Sequence, residues 1–491
     1  MSPFTDQPNT LPAKLVFKPR NTRKKVLSLP LLLLILTGVA LGQAGTSSAS
    51  ASRTRYLSEV GLAPASREVA VEEFINYHQH QIGRPKAGEA VALDVRWGNE
   101  QAVDSHDEAI LQVGFSTALA NDRRQLRPIN LALVIDKSGS MADADKISRV
   151  KAALLDLVSQ LREIDILSIV VFDSDAQVLL PARGVAERGF IKQSIREIQP
   201  GGSTNIHAGL MLGYREARKY YRRDATNRVI LLTDGIANRG EMNPERIAQD
   251  SLRYNDEGID LSTIGVGLDL NKDLLRELAK SGRGLFHFVA DSQDIEKVFI
   301  AELQSLISPV ANEPNVAIDY DPNLELVQVY GYQPRFRKNG LTLKLDNMNN
   351  GLTQVVLLRF RLTARRWTAS RLPVRVRFTY YDLEQQRQVS KTEESVLTIK
   401  SDRPGDLLKD PEVGKNYSIA LLAQAIYEMA VACEARRFQD AESLLSTAIN
   451  RTYQRYPYLE DPDLTRTLSI ARKYQTSLRA YNRQEDPRGE R

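Results

Sequence analysis

The chain has 491 residues, 42% of them hydrophobic and 26% charged, a balance that excludes fibrous and disordered classes and leaves room for roughly two to four globular domains. The formal charge of +5 is confined to residues 1–44, which carry six Lys or Arg against Asp6 alone. The rest of the chain is formally neutral, so the pI of about 9.0 is not the footprint of a nucleic-acid binder.

Lys14, Lys18, Arg20, Arg23, Lys24 and Lys25 precede an apolar run from Val26 to Leu41, the layout of an export signal. Gly42 and Ala44 satisfy the small-residue rule for cleavage before Gly45, and the run, which contains Pro30, is short for a membrane span of about 20 residues. Residues 1–44 are therefore expected to be a signal peptide, with an uncleaved membrane anchor as the alternative. Either places the body outside the cytoplasm, in the periplasm or cell envelope. A Ser/Ala-rich flexible linker is expected over 45–68. The next segment, 69–128, opens with a short amphipathic helix within Val69–His80, containing Glu72, Glu73, Phe74, Ile75 and Tyr77, expected to dock on the body. Two strand-like runs follow, Val91–Trp97 and Ala109–Phe115.

From 129 to 308 apolar strands alternate with helices, the pattern of a mainly parallel sheet. The strands are expected over Leu131–Ile135, Ile166–Phe172, Gln177–Pro181, Arg228–Thr233, Asp260–Val266 and Leu285–Val289. The third, next to Pro181, reads as an antiparallel edge. Helices are expected over Lys146–Arg162, Arg188–Ile198, Ile206–Arg222, Pro244–Asn255, Lys272–Ser281 and Asp294–Leu306. Residues 309–402 return to alternation, as in Val316, Ile318 and Tyr320, then Val355, Leu357 and Arg359, then Val374, Val376 and Phe378. Strand-like runs on both sides of the α/β unit imply that it is inserted in, or joined to, an antiparallel β-sandwich.

A Pro- and Gly-containing linker over Ser401–Gly414 leads into a helical region, 403–480, with helices expected over Asn416–Ala435, Phe438–Tyr456 and Asp463–Arg479. A disordered tail is expected over 481–491. Ala420, Ala423, Tyr427 and Ala430 facing Ala441, Leu444, Leu445 and Ala448 make one tetratricopeptide-like hairpin. One repeat is too few for a solenoid, so it is expected to pack on the sandwich. Cys433, the only cysteine, lies in this pattern and reads as a buried small hydrophobe. The fold class is thus α/β: a six-stranded, mainly parallel, doubly wound sheet with helices on both faces, an antiparallel sandwich and C-terminal helices.

The chemistry concentrates at strand ends. The first strand of the α/β unit runs into Asp136-Lys137-Ser138-Gly139-Ser140-Met141, and the fourth ends in Leu231-Leu232-Thr233-Asp234-Gly235. Between them lies Gly201-Gly202-Ser203-Thr204-Asn205. In an open parallel sheet, ligands bind beyond the carboxyl ends of strands where the strand order reverses. If the first and fourth strands are neighbours there, the three loops converge. Their donors are hard oxygens without thiolate or imidazole, which suits Mg²⁺ or Mn²⁺ rather than zinc.

The D-x-S-x-S run, the later Thr in a Gly-rich loop and the T-D-G strand end resemble the metal-ion-dependent adhesion site of von Willebrand factor type A domains. The resemblance covers about Asn130 to Ile307. It implies direct metal bonds from Ser138, Ser140 and Thr204, with Asp136 and Asp234 acting largely through water, and an open coordination position for an acidic residue of a partner protein. Val71-Glu72-Glu73-Phe74-Ile75-Asn76-Tyr77 is similar to a segment that precedes the A domain in exported bacterial proteins of this kind, with His78 where an aromatic is more usual.

Other signals weigh less. His78 and His80, two apart, fall on different faces of a helix with no nearby Cys or third His, and are expected at the surface rather than in a zinc site. His207 reads as a structural helix-start residue, and Asp173 and Asp175 as solvent-facing or turn-capping. Ser148-Arg149-Val150-Lys151 matches S-x-x-K without its companion motifs, and no phosphate-binding G-x-x-x-x-G-K-[ST] loop occurs. The expected function is an extracytoplasmic protein-binding module without enzymatic turnover. A partner subunit of an ATP-driven metal-insertion or remodelling complex is the alternative. A metal-dependent hydrolase stands third, because no convincing general base accompanies the cluster.

Overall fold

The computed structural model describes residues 49–99, 101–102, 108–118, 127–267, 270–289, 295, 298, 309–362, 371–399, 408–456 and 460–485. The export segment expected over 1–44 and nearly all of the helix expected over 294–306 lie outside the described residues. No helix among the described residues is long and apolar enough to cross a membrane.

The chain begins with α1 (Ala49–Glu59) and α2 (Val71–Ile75), then β1 (Val91–Trp97), β2 (Gln101–Ala102) and β3 (Glu108–Thr117). The flexible linker expected over 45–68 is therefore corrected from Ala49 onward. Its serines and alanines face protein: Ala51 and Leu57 are buried, Ser50 Oγ donates to the Glu68 carbonyl at 2.7 Å, and the Arg53 guanidinium lies 5.2 Å from the Phe288 ring centroid. Tertiary burial here overrides a composition that reads as a spacer. Helix α2 is shorter than the amphipathic pattern suggests, because Asn76 returns both its backbone N–H and its Nδ2 to the Glu72 carbonyl at 3.0 Å and the chain leaves the helix.

The α/β unit follows as β4 (Ile129–Asp136), α3 (Lys146–Gln160), β5 (Ile166–Phe172), β6 (Ala176–Gly184), α4 (Arg188–Arg196), α5 (Ile206–Lys219), β7 (Thr226–Thr233), α6 (Pro244–Asp256), β8 (Asp260–Val266), α7 (Lys272–Ser281) and β9 (Arg283–Val289). Its six strands run in the order β6-β5-β4-β7-β8-β9, with β6 antiparallel and the rest parallel. Every residue of β4 is buried, as expected for a central parallel strand covered on both faces. Leu131, Leu133 and Ile135 join one apolar core with Val150, Leu154 and Leu157 of α3, while Ala132 and Val134 join the other with Leu210 and Tyr214 of α5. The period of two along the strand sends alternate residues to opposite layers.

The sandwich resumes with β10 (Pro309–Tyr320), β11 (Leu324–Val329), β12 (Arg335–Arg337), β13 (Gly340–Lys344), β14 (Met348–Asn349), β15 (Thr353–Leu362), β16 (Arg371–Asp382) and β17 (Arg387–Ile399). One sheet is β1-β3-β15-β11; the other is β12-β13-β10-β16-β17-β2. Strands from before and after the α/β unit thus share a sheet, so the unit is an insertion. The sheets close on one core that includes Leu93, Phe115, Phe360 and Phe378, with the Phe115 and Phe378 rings 4.7 Å apart. Along β15 simple alternation fails. Val356, Leu358 and Phe360 face the sandwich core, whereas Val355 and Leu357 face a second apolar layer made by the C-terminal helices.

Those helices are α8 (Pro411–Glu434), α9 (Phe438–Arg455) and α10 (Pro462–Glu485). The linker expected through Gly414 gives way at Pro411: Asp410 caps α8 by accepting from the Glu412 and Val413 N–H groups at 3.0 Å. Proline suits the first helical position because its missing N–H has no intrahelical partner to lose. Tyr427 is exposed rather than facing α9, and Ile426 takes the buried position. The tail expected from 481 is helical to Glu485; the Tyr481 ring lies tilted against Phe438 with centroids 4.7 Å apart, and Asn482 Nδ2 donates to Glu442 at 3.1 Å. Cys433 is buried, and burial pushes its thiol up to about 12.

Candidate metal centre

At the carboxyl edge of the parallel sheet, β4 and β7 lie side by side and the chain departs from them toward opposite edges, which opens a crevice between their terminal loops. Backbone bonds stitch three loops across it. The Gly201 N–H donates to Lys137 O at 2.7 Å and the Gly139 N–H to Gly202 O at 3.1 Å. On the other side the Asn238 N–H donates to Thr204 O at 3.1 Å, and the Thr204 N–H to Asn238 Oδ1 at 2.8 Å. Asn205 caps α5 by accepting from the Ala208 N–H at 3.1 Å, fixing Thr204 immediately before a helix N-terminus.

All five residues expected to form the site meet on this rim. Asp136 is wholly buried and both its oxygens are engaged: Oδ1 accepts from the Ser138 N–H at 2.8 Å, Oδ2 from the Thr233 hydroxyl at 2.6 Å. The Ser138 and Ser140 hydroxyls are 3.3 Å apart, and the Ser140 hydroxyl donates to Asp234 Oδ1 at 2.8 Å. Thr204 lies against Gly235 so closely that a Cβ added there would stand 3.3 Å from Thr204 Oγ1. Ser138, Thr204 and Asp234 are buried while Ser140 is exposed, so the cluster opens to solvent on one side. Burial pushes the Asp136 carboxyl up to about 6 against the bonds from Thr233 and Ser138, and the nearby Asp234 charge raises it further.

Two participants lie outside the five expected ligands. Thr233 precedes the second aspartate and holds the first. Lys146 is the first residue of α3, where the helix dipole disfavours a cation; its Nζ lies 2.6 Å from Asp234 Oδ2 and 3.3 Å from Ser140 O. A lysine at a helix start is the one sequence signal that could have pointed to this pair. Lys137 pairs with Asp173, and although burial works the other way, that contact holds the Asp173 carboxyl below the usual range. His207 stands apart, its Nε2 3.0 Å from Asp250.

A model of the von Willebrand factor type A domain matches residues 130–301. Residues 130–301 belong to this family. Von Willebrand factor type A domains are protein-interaction modules, and the domain here has the mixed, mostly parallel sheet of that class. The Escherichia coli (strain K12) protein YfbK is 29% identical over 335 residues, a match covering 64% of this chain and 56% of YfbK. The human inter-alpha-trypsin inhibitor heavy chain H3 is 32% identical over 217 residues, covering 41% of this chain and 23% of H3. The match thus spans only about half of the bacterial relative and under a quarter of the human one. Among solved structures, a von Willebrand factor type A protein from Catenulispora acidiphila superposes with a TM-score of 0.53 at 15% identity, covering 78% of this chain and 89% of that one. That likeness is one of fold.

The donor set fits a hard divalent cation. Two carboxylates converge with neutral hydroxyls in a buried crevice, a negative balance that Lys146 offsets only in part. Ser138, Ser140 and Thr204 would offer direct oxygens. Asp136, whose oxygens are already engaged, would act at one remove. Such an ion, when bound, supplies a Lewis-acidic position for an oxygen ligand from outside.

Proposed function

We propose that Asp136, Ser138, Ser140, Thr204 and Asp234 hold Mg²⁺, or Mn²⁺ in its place, and that this centre binds an acidic side chain of a partner protein outside the cytoplasm. The observation that carries the reading is the exposed Ser140 hydroxyl bonded to the buried Asp234 carboxylate on a rim where three loops are tied together. Neutral hydroxyl ligands leave a cation with most of its charge, so a carboxylate from outside completes the shell. Ile236, 54% exposed just beyond Asp234, gives the rim apolar contact surface of the kind that interfaces use. The extracytoplasmic placement rests on the basic cluster and apolar run of residues 14–41. The chemistry is ligation without turnover.

The test is affinity capture from cell envelopes with the full chain, in Mg²⁺ or in EDTA, beside Ser138→Ala. A partner retained only by the unaltered chain in Mg²⁺ supports the reading. Equal capture under all conditions rejects it, as does calorimetry that finds no Mg²⁺ or Mn²⁺ uptake.

A further inference from the structure

His78, expected at the surface, is buried, and so is His80. The helical-face argument that separated them fails because the chain leaves α2 at Asn76, bringing their ring centroids to 4.6 Å. The third member comes from the far end of the chain: Glu412, in the first turn of α8, is also buried. One ring nitrogen of each histidine and one Glu412 oxygen all lie within 4.8 Å of one another.

The hydrogen bonds fix which nitrogen of His80 is the acceptor. Asn76 Oδ1 accepts from the Val355 backbone N–H at 2.8 Å, which sets the orientation of that amide. His80 Nε2, 3.1 Å from the same oxygen, must then donate to it. In the neutral ring this leaves the lone pair on Nδ1, which faces Glu412 Oε1 at 3.4 Å and makes no hydrogen bond. Asn416 Nδ2 stands 3.3 Å from a Glu412 oxygen and donates to it, so Asn416 Oδ1, 3.1 Å from His78 Nε2, accepts from that ring. Glu412 Oε1 also accepts from the Gln81 N–H at 3.1 Å. His80 Nδ1 is therefore a buried acceptor turned toward a carboxylate oxygen, an arrangement that costs energy unless a cation lies between them.

The geometry points to a second metal centre, in which His78, His80 and Glu412 bind a borderline divalent cation of the zinc class between the N-terminal segment and α8. Two imidazoles and one carboxylate are a zinc-type donor set, unlike the all-oxygen set at the sheet edge. Zinc ligands sit about 2.0–2.2 Å from the ion, so the cluster must contract by about 1 Å on binding. Asn76 holds the far ring nitrogen of His80, the outer support that metal-bound histidines usually have. Lys415 lies 3.3 Å from Glu412 Oε2, with Asp463 at 3.6 Å and Asp461 at 4.0 Å from the same ammonium. Three carboxylates against one ammonium leave a net negative balance for a divalent ion to neutralise. A cleft lined by Phe74, Tyr77, Asp463 and Arg466 reaches His78, one edge of the cluster. Burial lowers both imidazoles, His78 to about 2, against the pull of Glu412 in the other direction, and metal ligation takes the neutral ring.

The test uses the full chain, stripped by a chelator and then given Zn²⁺ or Co²⁺ in excess Mg²⁺. One equivalent of Zn²⁺ should be retained, and Co²⁺ should give visible d–d absorption. Both should be lost in His80→Gln and in His78→Phe and kept in Ser138→Ala. His78→Phe keeps a buried aromatic ring, so circular dichroism should report an intact fold. Failure of the unaltered chain to retain Zn²⁺ in Mg²⁺ overturns the proposal. Retention undiminished in folded His78→Phe, or lost in Ser138→Ala, overturns it equally, since either places the ion elsewhere.

Discussion

Single charges decide how the crevice at the sheet edge behaves. Lys146 holds Asp234 at 2.6 Å, so its ammonium competes with any cation approaching Ser140. Two like charges a few ångströms apart at an effective dielectric constant near 20 repel by several kcal/mol before the flexible side chain swings away. Lys146→Gln is therefore expected to tighten Mg²⁺ binding about tenfold, measured by titration calorimetry at fixed ionic strength. An unchanged affinity means the lysine leaves the rim at no cost. Glu72 offers a different reading of burial. Its carboxyl is raised to about 7 by burial first and then by Glu73 and Asp346, against Arg276. Between pH 4.5 and 7 the folded chain holds a proton that the unfolded chain has released, so this stabilising contribution is full below about 4.5 and is lost as pH rises through 7. Glu72→Gln should leave stability unchanged at pH 4 and raise it by about 2–3 kcal/mol at pH 8. Urea unfolding at the two pH values checks this, and an equal change at both contradicts it.

At the scale of elements, α5 ties packing to the site. Gly209 and Gly213, one turn apart, let it lie directly on β4 and β5: a Cβ on Gly213 would run into Val134, and one on Gly209 would stand 2.6 Å from Phe172. Alanine in place of Gly213 gains about 1 kcal/mol of helix propensity, but overpacking should outweigh it for a net loss of about 1–2 kcal/mol. Because α5 starts two residues after Thr204, Gly213→Ala should also weaken Mg²⁺ binding. Loss of stability with unaltered Mg²⁺ affinity would show that the loop does not follow the helix. The elements of this unit were legible because fully buried parallel strands read as unbroken apolar runs, and the five site residues because short polar loops follow β4 and β7 and precede α5. What escaped was set by distant contacts. Helix α1 looks like a spacer until Phe288 and Glu68 cover it, and Asp410-Pro411 looks like a linker though it caps a helix. His78 and His80 acquire a third partner only through Glu412, more than three hundred residues away.

For the whole molecule, the insertion sets how the parts can respond to ligands. Among the described residues, the two apolar cores flanking the parallel sheet draw only on Ile129 to Val298, while the sandwich and the layer beneath the C-terminal helices draw on none of that span. Contact between the two bodies combines the packing of α1 on β9, where Arg53 lies over the Phe288 ring, with polar pairs: Lys272 with Glu68, Arg67 with Asp273 at 3.3 Å, and Arg276 with Arg67 O at 2.8 Å. Interfaces of this kind couple domains weakly. Calorimetry of the full chain is thus expected to resolve two unfolding transitions. An ion bound only by the folded α/β unit at a hundred times its Kd stabilises that unit by about 2.7 kcal/mol, a rise of roughly 5–10 °C for a unit of this size. Mg²⁺ should move one transition by that amount and leave the other in place, with Ser138→Ala abolishing the shift. One transition moving as a whole would mean that the bridge through α1 and α7 makes the two bodies unfold together, and that an ion at the rim is felt throughout the chain.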